Sequence, residues 1–152
     1  MASQAAVKLF QGEHEEAKAK YEEVRADDNE IAWVAYKYNG KVLEAAGSGD
    51  NTEKALGNQD LFSDDDRVYA YLRFETGDEM SRRAKFALLT WIGSKVGALK
   101  KAAVSTDKAF VKEIFVEFGK EFLCDARNEL SYDKILKDLE KASGAAYGTG
   151  RR

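Results

Sequence analysis

Apolar positions recur along the chain at strand period in some segments and at helix period in others. Over residues 85–92, KFALLTWI, both alternating sets are apolar. A strand with two apolar faces must be covered on both sides, so this segment predicts the centre of a sheet. RVYAYLRF (67–74) sets Val68, Ala70, Leu72 and Phe74 against Tyr69, Tyr71 and Arg73, the period of two of a second strand. The polar stretch ETGDEMSRR between them predicts a hairpin loop. Upstream, IAWVAYKY (31–38) is aromatic and β-rich and reads as a strand. Asn39-Gly40 after it is a strong hairpin signal, with φ > 0 expected at both turn residues. KVLEAA (41–46) is the returning strand, and KEFLCDA (120–126) predicts a fifth.

Helical periodicity fills the intervals. Over 13–26, His14, Ala17, Tyr21 and Val24 share one face. GSGDN (47–51) reads as a flexible loop, 52–58 as a short helix and SDDD (63–66) as a turn. Residues 95–118 predict a long helix, with a restart near STDK (105–108) where Ser or Thr can cap. Ser131 caps a last helix, Asp133 in its first turn suits the positive end of the dipole, and Tyr132, Ile135, Leu136, Leu139 and Ala142 form its apolar stripe. Residues 1–12 read as a flexible N-terminal tail and 144–152 as a flexible Gly-rich basic tail, leaving one domain over 13–143. The order α, ββ, short α, ββ, long α, β, α predicts an α/β (α+β layered) domain. A mixed central sheet of about five strands is flanked by helices on both faces.

Length adds that 152 residues suit one domain, and that such a chain buries about 68–70% of its unfolded surface without staples. Proline is absent, so Gly, Asn, Asp and Ser must supply the breaks. The longest apolar runs reach five or six residues, far short of the roughly 20 that span a bilayer, and the first dozen residues lack the apolar core of a signal peptide. The single cysteine, Cys124, cannot form an internal disulfide, which points to a reducing, cytoplasmic compartment.

The residues of catalysis are sparse. His14 is the only histidine and sits on an apolar helix edge, where a packed or capping role is expected. Cys124 lies in an apolar strand and reads as a small core residue. No second Cys or His stands near to build a zinc site. Gly47-Ser48-Gly49 lacks the Gly-Lys-Ser/Thr ending of a phosphate loop. The carboxylates at 64–66 lack the spacing of a calcium loop and read as a solvated turn. The expectation is a non-enzyme with no catalytic residues, no cofactor and no metal.

Charge is more informative. The net charge of −3 divides into +6 over residues 82–120 and −9 over the remainder. A basic block on an acidic body is a footprint for an anionic partner. Nucleic acid, acidic phospholipid and an acidic protein surface all satisfy charge alone. The densest part, Arg82, Arg83 and Lys85, stands at the mouth of the predicted central strand.

TGDEMSRRAKFALLTWIG, followed by GALKKA and STDKAFVKE, resembles the actin-depolymerising-factor homology family, the cofilin fold, and most closely its coactosin branch. The resemblance extends to IAWVAYKYNG, RVYAYLRF and NELSYDKILKDLEKASGAAY, and covers roughly residues 13–147. It implies actin binding through two surfaces: the long helix with the N-terminal region, and the basic sheet-side loop with the last helix. Arg83 and Lys85 match the family's basic pair in the filament-binding loop, with Arg82 a helper. Lys101 matches a basic position at the start of the long helix, and Lys112 lies further along it. The implied partner is F-actin, with weak or no G-actin binding, acidic phosphoinositides as a further partner and no nucleic acid. The implied protein is a monomer of the cytoplasmic actin cytoskeleton that modulates filament stability. The alternatives are a cofilin-type monomer binder and severer, or a phosphoinositide-binding module.

Some positions depart from the cofilin pattern. Gly93 stands where cofilins have proline, Leu99 replaces the first of two basic residues, and Ala102 and Val104 replace a Met–x–Tyr pattern. These departures imply a weakened monomer-binding surface. The acid–base pair of the last helix is reversed as Lys137 and Asp138, which are assigned no role. The start MAS resembles a cofilin start in which a serine is phosphorylated, although Ser3 lies about nine residues before the first predicted helix.

Overall fold

The computed structural model describes residues 1–77 and 80–150, with side chains through Ala142. Its sheet contains β1 (Trp33–Asn39), β2 (Val42–Gly49), β3 (Arg67–Thr76), β4 (Arg83–Ile92) and β5 (Lys120–Cys124), in the order β2-β1-β3-β4-β5. All neighbours are antiparallel except β4 and β5. A parallel pair needs a crossover, which α4 (Ala98–Val111) supplies. The other helices are α1 (Gln4–Leu9), α2 (His14–Arg25), α3 (Thr52–Leu56) and α5 (Tyr132–Gly150), with a 3-10 turn at Arg127–Glu129.

The predicted two-faced strands hold the centre. Tyr69, Tyr71, Leu88 and Ile92 pack with Leu9, Phe10, Tyr21, Val104 and Val111 on the face covered by α1, α2 and α4. Val68, Leu72, Phe74, Leu89 and Trp91 pack with Leu56, Ile135 and Leu139 on the face covered by α3 and α5. Each fully buried Leu or Phe contributes about 1.5–3 kcal/mol relative to an exposed one, so β3 and β4 carry much of the apolar burial of both faces. The expected mixed sheet with helices on both faces is present.

The structure revises four local expectations. The hairpin turn is Gly40-Lys41 rather than Asn39-Gly40, because Asn39 pairs with Val42. Only Gly40 has positive φ (67°) there, the pattern of a two-residue turn with glycine first. Gly47-Ser48-Gly49 belongs to β2, opposite Ala35, Val34 and Trp33. The long helix runs over Ala98–Val111 without a restart, and Thr106 Oγ1 donates back to the Ala102 carbonyl (3.3 Å) within it.

The fourth revision concerns residues 1–12, expected as a tail. They contain α1, because Ser3 Oγ accepts from the Ala6 N–H (3.1 Å) and Ala6, Leu9 and Phe10 are buried. An N-cap hydroxyl and three apolar residues spaced for one helix face suffice once tertiary packing is available. At the other end the backbone of α5 continues to Gly150. The remaining parts of the basic tail expected over 144–152, its side chains and Arg151 and Arg152, lie outside the described residues. Among the described residues, no helix is long and apolar enough to cross a membrane.

Candidate functional site: a basic hairpin end and the long helix

β4 begins at Arg83, so two of the three clustered cations sit on the strand itself. Arg83 lies opposite Thr76 and Lys85 opposite Phe74. Strand alternation sends Arg83 and Lys85 to the same face as Ala87 and Leu89, the side of α5. Arg82 and Arg83 are exposed and Lys85 is half-buried. Asp78 and Glu79 of the loop lie outside the described residues.

This end of the hairpin is braced from both sides. On the α5 side, Phe74 packs on Tyr132 (4.8 Å between centroids), the Glu75 N–H donates to the Tyr132 hydroxyl (3.4 Å), and the Thr76 hydroxyl donates to Glu140. On the other side, Phe86 stacks on Tyr71 (5.6 Å, 3° between planes) beneath the Arg25 guanidinium at 4.7 Å. Arg25 also donates to the Tyr71 hydroxyl (3.0 Å) and the Glu117 carbonyl (3.3 Å). Arg73 donates to the carbonyls of Val24 and Arg25 at 2.9 and 3.2 Å, binding the last turn of α2 to β3. Nothing in the sequence pairs Arg25 with Phe86, since they are brought together only by the docking of α2.

The other predicted cations stand apart. Lys101 is exposed in the first turn of α4, which follows the Ile92 end of β4. The nine steps of β4 from Arg83 to Ile92 span about 30 Å. Arg82, Arg83 and Lys85 therefore form one group, with Lys101 at the opposite end of the sheet. Lys112 caps the far end of α4, about 16 Å along the axis from Lys101. Its ammonium pairs with Glu121, which Lys108 also approaches at 3.6 Å, and lies 5.7 Å from the Phe118 ring. Lys112 is thus committed within the fold.

The outer face of α4 presents Leu99, Lys101, Ala102, Ser105, Thr106 and Ala109 to solvent. Val104 is 1% exposed, so it belongs to the core rather than to the outer face to which the family pattern assigned it. Gly93 is also a packing position, pressed against the Ser63 and Asp64 backbone. The fold also joins the N-terminus to the segment just after α4. The Ser3 N–H and hydroxyl both donate to the Glu113 carboxylate at 2.8 Å. These bonds hold that carboxyl below its ordinary 4.5. Ser3 is therefore the cap of α1 rather than a residue remote from any helix.

Of the remaining candidate groups, the carboxylates at 64 and 66 are paired within the fold. Asp66 pairs with Lys37 (3.0 Å) and accepts from Ser63, and Asp64 pairs with Arg127 (3.3 Å). Cys124 is 3% exposed, and burial pushes its thiol up to about 12. His14 is partly buried, and its Nδ1 has no hydrogen-bond partner among the described residues.

The five-strand mixed sheet with its crossover helix is the fold of an actin-depolymerising-factor homology domain. The profile of the family described as cofilin/tropomyosin-type actin-binding protein matches residues 12–140, and the chain belongs to that family. The similarity is specifically to coactosins. Coactosin-like protein of Homo sapiens is 42% identical over 133 residues, covering 88% of this chain and 92% of that protein. The crystal structure of human coactosin-like protein superposes with a TM-score of 0.77 at 41% identity, covering 84% of this chain and 95% of that one. Mouse coactosin, described as an actin filament binding protein, superposes with a TM-score of 0.71 at 39% identity over 92% of this chain and 96% of that one.

Proposed function

We propose that this protein binds the sides of actin filaments through the basic hairpin end and the exposed face of α4, and so biases filament stability without catalysis. The observation that carries this reading is Arg82, Arg83 and Lys85 at the end of a hairpin braced by α5 and by the Arg25–Phe86–Tyr71 stack, in a member of an actin-binding family. Arg and Lys on a rigid protrusion steer an acidic partner and make charge-assisted contacts without first ordering a loop. The filament description of mouse coactosin supports the same partner. The neutral positions Ala102, Ser105, Thr106 and Ala109 on α4 favour weak or no monomer binding over severing.

Co-sedimentation with filaments across a salt series tests the proposal. The protein should pellet at low salt and be released as salt screens its surface charges. A wild-type protein that stays in the supernatant at low salt overturns it. Lys85→Glu replaces an attraction with a repulsion. With exposed pairs worth about 0.2–1 kcal/mol each, it should weaken pelleting by roughly 2- to 30-fold. An unchanged affinity moves the site away from the hairpin. Flotation on vesicles with and without acidic phosphoinositide tests whether the same cations also take a lipid headgroup.

A further inference from the structure

A cavity of about 500 Å³ opens where the first turn of α4 meets the β1–β2 turn. Its apolar walls are the Tyr38 ring, Leu99 and Ala103, and its cations are Lys41, Lys100 and Arg67. Leu99 is 89% exposed at its rim. An isolated exposed leucine needs no explanation, but one that extends the wall of a standing cavity does. The departure at this position, leucine where cofilins carry a basic residue, gives the cavity its apolar lip.

The walls are held in place without a ligand. Tyr38 is 9% exposed and donates to Asp107 (2.7 Å), and its hydroxyl oxygen lies 3.2 Å from that of Tyr69, which donates to the Val104 carbonyl (2.7 Å). The Arg67 guanidinium lies 3.8 Å from the Tyr38 ring centroid and donates to the carbonyls of Gly40 (3.0 Å) and Lys100 (3.2 Å). These bonds tie the β1–β2 turn to the first turn of α4. The cavity's one carboxylate, Asp107, is engaged by Tyr38, whereas Lys41 and Lys100 are exposed. An apolar floor under a cationic rim, already formed, selects both the side chain that enters and the charge around it.

We infer that this cavity receives one large apolar side chain from an acidic segment of a partner protein, with the flanking carboxylates facing Lys41 and Lys100. The cavity shares the first turn of α4 with the proposed filament surface, so the inference is tested on the protein alone, without actin.

The test is an ¹⁵N-HSQC titration of the full chain with a nine-residue peptide of four Glu, one Phe and four Glu, capped at both ends. The same titration is run with Phe replaced by Ala and with the Glu residues replaced by Lys. Saturable shifts should concentrate on Gly40, Lys41, Leu99, Lys100 and Ala103. The Ala peptide should bind roughly 10- to 150-fold more weakly, as expected for loss of one buried apolar side chain, and the Lys peptide should not bind. Leu99→Asp, at a solvent-facing position, should weaken the Phe peptide by a similar factor while the rest of the spectrum stays native. Absence of saturation at millimolar peptide, equal binding of the Phe and Ala peptides, or an unchanged affinity in Leu99→Asp overturns the inference.

Discussion

Replacing Gly93 with alanine should unfold the protein at markedly lower temperature. A Cβ at Gly93 falls 2.2 Å from the Asp64 oxygen, 2.3 Å from its carbonyl carbon and 2.5 Å from the Ser63 oxygen. All three are backbone atoms, so no side-chain rotation relieves the contact. The 63–64 backbone must retreat by roughly 1 Å, and a packed interior resists such shifts. That loop is also anchored. The Trp91 indole N–H donates to the Ser63 carbonyl (2.7 Å), and the Lys95 N–H donates to that of Asp64 (2.8 Å). Overpacking costs about 1–3 kcal/mol, and losing these two bonds adds about 0.5–1.5 kcal/mol each. The sum is about 2–6 kcal/mol, which for a domain of this size lowers Tm by roughly 4–24 °C. Thermal unfolding followed by far-UV circular dichroism measures it, with Trp fluorescence reporting on Trp91. A Tm within about 2 °C of wild type would refute the argument. Gly93→Pro, which restores the cofilin residue, should do worse still, since it also removes the Gly93 N–H bond to the Asp66 carbonyl (2.9 Å).

The Glu113 carboxyl is held below 4.5 by its bonds from Ser3. Its contribution is thus present above the unfolded value and lost as pH falls through the lower folded one. Glu113→Gln should therefore lose stability against wild type at pH 7, with the difference shrinking as pH falls progressively below 4.5; urea melts giving a constant difference throughout that fall would contradict the assignment. Cys124, with its thiol pushed up to about 12, should resist Ellman's reagent in the native protein at pH 8 and react fully after denaturation. Fast labelling of the native protein would mean that β5 opens readily. Lys85→Glu and Lys101→Glu change groups at opposite ends of the sheet. If both ends touch one filament in one binding mode, their effects on pelleting should add within about 0.5 kcal/mol. No effect of Lys101→Glu would remove the α4 face from the filament contact.

The sequence made visible what depends on near neighbours and periodicity. Two apolar faces over 85–92 located the central strand because burial on both sides leaves no polar position to alternate. The stripe at Tyr132, Ile135 and Leu139 located α5 for the same reason. Local turn chemistry was legible only to within one residue. An Asn-Gly pair fits either of two neighbouring registers, and pairing of Asn39 with Val42 selects the one with Gly40 first. Of the two short helices, α3 was legible and α1 was not. α1 has six residues, too few to be stable alone, and it exists because Leu9 and Phe10 find the core beneath α4. The basic cluster was visible as charge, but its bracing by Arg25 and Tyr132 joins residues about 50 to 60 positions apart in the chain, which no local pattern encodes.

That bracing answers why dense positive charge stands at the mouth of a buried strand. A cation on a flexible loop must give up backbone freedom when it docks, at about 1–2 kcal/mol per residue fixed. Arg83 and Lys85 are already in β-strand register with Thr76 and Phe74, so folding has met that cost before any partner arrives. What remains is ordering of the side chains, a cost already contained in the about 0.2–1 kcal/mol measured for an exposed ion pair. Three such pairs sum to about 0.6–3 kcal/mol, less than the about 4 kcal/mol of a millimolar Kd. Useful affinity consequently requires a second contact on the same rigid body, and the exposed first turn of α4 is the region where the sheet can supply it.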